Sequence, residues 1–263
     1  MICNLCPRHC GAERLPDKAG GVCAMPAWPV AARAMLHQWE EPCLVGSHGA
    51  GAVFFSGCNL RCCFCQNKPI SQGEVGKVLT AERLREIFRE LIAQGAHNID
   101  LITASHFVPF LLPALEEPLP VPVVFNCGGY ERVETLRSLE GCVDIYLPDF
   151  KYADARLAGQ LSGAADYFPV AADAIREMVR QVGAVRWEGE KVTRGVIIRH
   201  LILPGNVENS LRVLDWIGEN FAPGEVLVSL MRQYTPMGGL PAPLDRRVTD
   251  EEYDAVLSWM YLN

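Results

Sequence analysis

Cys58, Cys62 and Cys65 stand in the run Ser56-Gly57-Cys58-Asn59-Leu60-Arg61-Cys62-Cys63-Phe64-Cys65, directly after the apolar stretch Val53-Phe54-Phe55. Three thiols spaced Cys-x3-Cys-x2-Cys on one short loop can hold three corners of a cubane iron–sulfur cluster. Clusters that only carry electrons usually have four Cys ligands, and the spacing supplies no obvious fourth. One iron would then stay open to a ligand that is not protein. An open position separates a metal centre that does chemistry from one that only holds a fold. The competing reading is a structural zinc knuckle, because Cys63 makes four cysteines within eight residues. Such a site needs a second ligand pair elsewhere.

A second set, Cys3-x2-Cys6-x3-Cys10-x12-Cys23, lies in a Cys-rich stretch punctuated by Pro and Gly, residues 1 to 49. It shows little periodicity, and a segment with little core needs a staple, which a metal provides. Four thiols at these spacings fit a structural zinc ion or a second iron–sulfur cluster, and both stay open at this point. Cys43 is expected to be a buried apolar residue near either site rather than a fifth ligand.

Behind the cluster loop the chain alternates strands and helices. Residues 53–56 read as a strand entering the loop. Thr80 is a helix N-cap, followed by Leu84, Ile87, Phe88, Leu91 and Ile92 at helical spacing and a stop at Gly95. Strands are predicted over 99–103, 121–126, 143–147, 195–203 and 226–230. Helices are predicted over 109–116, 130–139, 170–182, 206–220 and 249–259, with a turn at 187–191. Six strand-then-helix units in series imply a parallel sheet with right-handed crossovers. Six are too few for a closed eight-stranded barrel. The predicted division is a Cys-rich metal-binding segment at 1–49 and an α/β unit at 50–263.

The chain has 263 residues, 49% of them hydrophobic, enough for a sizeable core. Lys plus Arg number 24 against 31 Asp plus Glu, a net charge of -7, with no long basic run, so no nucleic-acid surface is expected. No apolar run is long enough to cross a bilayer, and no membrane partner is expected. The start, Met1-Ile2-Cys3-Asn4, lacks a secretory profile. Eleven cysteines, an odd count, argue against a complete disulfide framework. A reducing cytoplasm is the expected location for thiols kept as metal ligands.

Cys-x3-Cys-x2-Cys with an aromatic residue before the last Cys, at the end of a first strand, resembles the signature of the radical S-adenosylmethionine superfamily. The resemblance implies a partial (β/α)6 barrel of α/β class with its chemistry at the C-terminal strand ends. It also implies a [4Fe-4S] cluster on Cys58, Cys62 and Cys65 whose open iron chelates S-adenosyl-L-methionine. Reductive cleavage of that cofactor to a 5′-deoxyadenosyl radical would drive hydrogen abstraction. Phe64 would pack near the adenine, and Cys63 has no counterpart.

Asp149-Phe150-Lys151 resembles the Asp-x-Lys element of the glycyl-radical-enzyme activases. By that likeness Lys151 would reach the cofactor carboxylate, and Asp149 a cation or the cofactor amine. The alternative is a surface ion pair past a strand. Asn126-Cys127-Gly128-Gly129-Tyr130 is similar to the activase turn that lines the cofactor pocket, with Asn126 and nearby carbonyls as candidates for a monovalent cation. Cys127 is expected to be a small buried residue. Arg199 to Gly205 resembles the activases' Arg-x-x-Val-x-Pro-Gly strand, which gives Arg199 to the cofactor. Alternation then turns His200 to the opposite face. Gln233 and Tyr234 could line the substrate mouth. The superfamily's Gly-Gly-Glu element is replaced by Thr103-Ala104-Ser105-His106, so Ser105 or backbone carbonyls would take the amino group, and His106 could contact cofactor or substrate or cap the next helix.

Together with Glu40-Glu41-Pro42-Cys43, these motifs resemble the pyruvate formate-lyase activating enzyme-like subgroup. The resemblance implies an oxidoreductase, an electron donor such as flavodoxin or ferredoxin, and a glycyl radical enzyme as partner. The alternatives are radical modification of a small molecule or another protein, and a non-catalytic iron–sulfur or zinc protein.

Overall fold

The chain folds around six parallel strands whose C-terminal ends face one side. The structure, a computed structural model, describes residues 2–16, 18–73 and 75–262. In chain order the elements are β1 (Val30–His37), α1 (Pro42–Val45), β2 (Ala50–Phe55), α2 (Lys68–Ser71), β3 (Lys77–Val78), α3 (Ala81–Ala93) and β4 (Ile99–Ile102). A 3-10 turn (Ser105–Phe107) leads into α4 (Val108–Leu115), β5 (Val123–Cys127), α5 (Val133–Arg137) and β6 (Ile145–Pro148). Then follow α6 (Ala155–Ser162), α7 (Tyr167–Val182), β7 (Arg186–Glu188), β8 (Lys191–Leu201), α8 (Val207–Asn220), β9 (Leu227–Met231) and α9 (Asp250–Leu262).

Strands β2, β4, β5, β6, β8 and β9 pair in parallel in that order. Among the described residues β9 pairs only with β8, so the sheet is open and the barrel partial. The order follows the predicted strand-then-helix series, because each crossover returns the chain to the next position in the sheet. The main core lies between the outward strand faces and the helices, with Leu84, Phe88 and Leu91 of α3 and Ile175 and Met178 of α7 buried in it. Thr80 caps α3 as predicted: its hydroxyl accepts from the Arg83 N–H at 3.2 Å.

The inward strand faces carry a smaller core, in which Leu44 of α1 packs with Val124, Ile145, Leu147, Val192 and Ile197. Helix α1 thus plugs the lumen from below. Cys43 is half-buried against this cluster.

Two of the differences from expectation bear on the frame of the site. The stretch before residue 50 was expected to be loop-rich, yet it supplies β1, antiparallel to β2 from Ala31↔Phe55 to His37↔Ala50. Alanine-rich Val30–His37 has weak strand propensity, and edge pairing with β2 provides what propensity does not. The helix predicted over 130–139 shrinks to Val133–Arg137. Gly129 stands at φ +77, and Tyr130 and Glu131 are both buried in succession, which a helix with one apolar face does not allow.

Candidate functional site

The three loop thiols line one cavity of about 170 Å³, opposite Asn126, Asp149, Lys151 and Arg199. Each thiol is held by a neighbour. Leu60 N–H points at Cys58 Sγ (3.4 Å), Ser162 Oγ donates to Cys62 Sγ (2.9 Å) and Ser71 Oγ to Cys65 Sγ (3.3 Å). Burial pushes the Cys58 thiol up to about 12, and the neighbouring Cys62 adds to the shift. Burial also raises Cys62, although Lys151 nearby opposes it. These groups therefore stay protonated until a metal displaces the protons.

A common cavity fits a cubane, which takes each thiolate on a separate iron. Among the described residues no group of three His, Cys, Asp or Glu side chains is drawn around a point that could hold a single metal ion. Cys127, the remaining thiol of the wall, is buried close to the Glu131 carboxyl, and burial together with that charge pushes it well up. Cys63 packs toward Tyr234, outside the cavity.

Opposite the thiols the strand ends assemble a charged network. Arg199 Nε donates to Asp149 Oδ1 (2.9 Å), Nη2 to Asn126 Oδ1 (2.7 Å) and Nη1 to Glu40 Oε2 (3.3 Å). Lys151 Nζ donates to Asp149 Oδ2 at 2.5 Å. Burial alone would raise Asp149, but Arg199 and Lys151 outweigh it and hold the carboxyl below its ordinary range. Asn126 Nδ2 faces both Glu40 Oε2 (3.2 Å) and Asp100 Oδ2 (3.4 Å). Burial raises both of these carboxyls, Asp100 the more strongly, and Arg199 opposes the shift at each; the Glu40 charge adds to the rise at Asp100. Asp100 Oδ1 is buried without a hydrogen-bond partner.

The turn carrying Asp149 and Lys151 is fixed from behind. The Tyr167 hydroxyl sits between the Gly128 and Asp149 carbonyls (2.8 and 2.7 Å) and accepts from Lys151 N–H at 3.0 Å. Gly129 is required here, because a Cβ would lie 2.1 Å from the Asp149 carbonyl oxygen.

Most expected site residues therefore converge. Cys58, Cys62, Cys65, Asn126, Asp149, Lys151 and Arg199 border one cavity. Phe64, Gln233 and Tyr234 border an adjoining chamber of about 230 Å³, with the Phe64 and Tyr234 rings 6.1 Å apart. Ser105 does not join them. It is buried in the 3-10 turn on the side of Glu131, and Thr103 faces the cavity instead. Thr103 holds φ +61, a costly conformation for a β-branched residue and one that collects at functional sites. His106 is also turned away, with Nε2 on the Ser56 carbonyl at 2.8 Å.

Asp100 and Tyr167 were not singled out from sequence, and Glu40 entered only as part of the Glu40-Glu41-Pro42-Cys43 motif, with no role given to it. A charged residue inside the apolar run Ile99-Asp100-Leu101-Ile102 was a signal that could have found Asp100. Cys3, Cys6 and Cys23 are buried and Cys10 is exposed.

His200 points outward, as alternation requires. Nδ1–H donates to the Phe150 carbonyl (2.7 Å), and Nε2 accepts from Ser210 Oγ (2.8 Å). Burial lowers it to about 4, so the folded state keeps it neutral. Between that value and the ordinary 6.5 the unfolded chain binds the extra proton, so stability is lost as pH falls through this window. The gap corresponds to roughly 3 kcal/mol. Melting His200→Asn beside the parent from pH 7 to pH 4 should show a flatter pH dependence in the variant. Parallel curves would disprove the assignment.

Comparison with known proteins follows this geometry. Residues 46–106 match the family model of a 4Fe-4S single cluster domain. The uncharacterized protein MJ0674 of Methanocaldococcus jannaschii is 30% identical over 97% of this chain and 73% of its own. SuiB of Streptococcus suis bound to S-adenosylmethionine superposes with a TM-score of 0.52 at 13% identity, covering 78% of this chain and 46% of SuiB. SuiB bound to precursor peptide SuiA gives 0.51 at 14%, covering 78% and 44%. Methylornithine synthase (PylB) gives 0.51 at 20%, covering 79% of this chain and 60% of PylB. These structures share the fold, and this chain spans between two fifths and three fifths of their lengths.

Proposed function

The chain belongs to one family with MJ0674, and from that premise we propose that it is a radical S-adenosylmethionine enzyme, which cleaves S-adenosylmethionine reductively to abstract a hydrogen atom from a substrate. The observation that carries this reading is three thiols bordering a cavity whose opposite wall is Asn126, Asp149, Lys151 and Arg199. When bound, the cluster supplies the electron that breaks the sulfonium bond to the 5′-carbon, leaving methionine and a 5′-deoxyadenosyl radical.

The protein's share is placement. Lys151 is presented by the Tyr167-braced turn to take the cofactor carboxylate. Asp149 keeps Lys151 and Arg199 charged and in register. The strained backbone at Thr103 stands where a Gly-Gly-Glu element would meet the amino group. Phe64 and Tyr234 offer ring faces to the adenine, and the adjoining chamber receives the group that loses hydrogen.

Among substrates, a backbone glycine of a partner enzyme is the leading assignment, because Asp149, Lys151 and Arg199, the residues of the activase-like motifs, meet at one point. A precursor peptide in SuiB supports a polypeptide substrate more broadly. Reduced flavodoxin or ferredoxin would deliver the electron, as cytoplasmic partners.

The test is anaerobic reconstitution with iron and sulfide, followed by dithionite and S-adenosylmethionine. The expected products are 5′-deoxyadenosine and methionine in equal amounts, read by chromatography and mass spectrometry. Cluster-loaded protein that leaves the cofactor intact would sink the proposal.

A further inference from the structure

The Cys-rich segment is built onto the cluster loop. Between Ser56 and Cys62 the loop meets it at four positions. A Cβ on Gly57, at φ +79, would lie 2.7 Å from the Cys23 carbonyl oxygen. Asn59 O and Leu60 O accept from Arg8 Nε (2.6 Å) and Nη2 (3.2 Å), and Arg61 Nη1 donates to Val22 O (3.3 Å).

Arg8 does more than touch the loop. Its guanidinium also donates to Ser162 O (2.5 Å) and to Gly163 O, at the C-terminal end of α6. Ser162 is the residue whose hydroxyl holds the Cys62 sulfur. One side chain thereby ties the carbonyls between Cys58 and Cys62 to the helix end that positions Cys62. A cation at a helix C-terminus is favourable in itself. The Arg8 guanidinium also lies 5.3 Å from the centre of the Tyr130 ring.

The loop needs such a hold. Arg61, between Leu60 and Cys62, stands at φ +53, which costs about 1–2 kcal/mol for a residue with a side chain and persists only when its surroundings impose it.

What fixes Arg8 is less obvious. Among the described residues, 2–29 contain no helix or strand, only bridges Ile2↔Glu13 and Gly20↔Met25. Arg8 lies between Cys6 and Cys10. The thiols of the set lie within electrostatic reach of one another, Cys6 of Cys3 and Cys23, and Cys23 of Cys3 and Cys10. Arg14, buried, directs Nη1 at Cys3 Sγ (3.6 Å) and at the His106 carbonyl (2.6 Å), which places a positive charge beside sulfurs that would be anionic in a metal site.

We propose that Cys3, Cys6, Cys10 and Cys23 bind a second iron–sulfur cluster, each thiolate on its own iron, and that its role is to hold Arg8 as a clamp on the Cys58–Cys65 loop. Arg8 is then a positioning residue for the cluster, and the second metal is needed for the cluster to persist. None of these contacts uses the Cys58, Cys62 or Cys65 side chain itself, so a variant at one of these thiols is expected to keep the second metal. The inference rests on the reading that Cys58, Cys62 and Cys65 carry a cluster.

Iron release to a chelator, timed under anaerobic conditions after reconstitution, tests it without reference to activity. Arg8→Ala should release the cluster iron about tenfold faster than the parent, the loss expected when charge-assisted hydrogen bonds go. Arg8→Lys should behave like Arg8→Ala, because an ammonium keeps the charge but cannot span several carbonyls as a fork. Cys6→Ser should lose the second metal and release iron as fast. Should Cys6→Ser fail to fold by circular dichroism, Arg8→Lys decides alone. Metal analysis of Cys62→Ala, whose remaining metal is at the second set, should find iron, and its release rate gives the contribution of that set alone. Parental release rates in both Arg8 variants, or Cys62→Ala devoid of metal, overturn the inference and leave the proposed function standing. A parent that takes up no cluster is a failure of the functional reading itself.

Discussion

Cys62→Ala is expected to abolish 5′-deoxyadenosine formation, a loss of at least about a thousandfold and the largest effect of any single substitution considered. The reason lies in how little redundancy the loop has. Three thiols of the loop border the cavity, and Cys127, the fourth sulfur of its wall, stands at the end of β5, close to the Glu131 carboxyl. A cubane gripped at two corners has no protein ligand in reserve. The variant should also lose the absorbance and reduced-state paramagnetic signal of the cluster. Metal at Cys3, Cys6, Cys10 and Cys23 should remain, because Arg14 and the bridges at Ile2 and Gly20 do not involve Cys62. Cys63→Ala is the matched control and should keep cluster and turnover, since Cys63 packs toward Tyr234 outside the cavity. A Cys62→Ala protein that still cleaves the cofactor would remove the basis of the functional reading.

Cys58, Cys62 and Cys65 are legible because ligation to one cluster imposes spacing on a short loop. The parallel strands are legible because burial on both faces demands near-continuous apolar runs, as in Val123–Cys127 and Ile145–Pro148. Asp149, Lys151 and Arg199 were found through motif likeness and strand-end position together, and ion pairs between strand ends now join them.

What escaped notice depends on contacts between residues far apart in sequence. Glu40 enters the network from below the barrel, 159 residues from its partner Arg199. Arg8 reaches Ser162 across 154 positions. Each residue stands in a motif, Glu40 in Glu40-Glu41-Pro42-Cys43 and Arg8 between Cys6 and Cys10, but no local pattern names the distant partner it reaches. Helix α6 was missed for a local reason. Its N-cap Asp154 is a good signal, accepting from Leu157 N–H at 2.8 Å, but Gly159 inside the helix weakens the pattern. Ser105 was misplaced because a 3-10 turn, not a strand continuation, follows Thr103, and it rotates the hydroxyl toward Glu131.

Asp149→Asn should be the most damaging change outside the cysteines, and it should damage stability and cofactor binding together. Asp149 accepts from Arg199 and Lys151 at once, in a place where the three side chains are only 14–17% exposed. An asparagine can accept from one of them, but its amide N–H groups then face the donors of the other. Two cations are left in a low-dielectric site with Glu40 in contact with Arg199 alone. Removing one partner of a buried charge set costs about 3–5 kcal/mol, and in a chain of this size each kcal/mol moves the melting temperature by about 2–4 °C. A fall on the order of 10 °C is expected, with at least about a tenfold weaker hold on S-adenosylmethionine measured by calorimetry.

The pH dependence separates this effect from that of His200. Asp149 titrates below its ordinary 3.8 in the folded state, so its contribution is complete above that pH and is lost as pH falls through the lower folded value. The parent should lose this contribution only in that acid range, and Asp149→Asn should be flat there. Glu40→Gln supplies the contrast. Burial pushes the Glu40 carboxyl up rather than down, so its charge is worth less to the fold than that of Asp149. Its replacement should cost under about 1 kcal/mol while leaving an acceptor for Arg199. If the two variants melt together, the network is held by packing and not by the charge on Asp149.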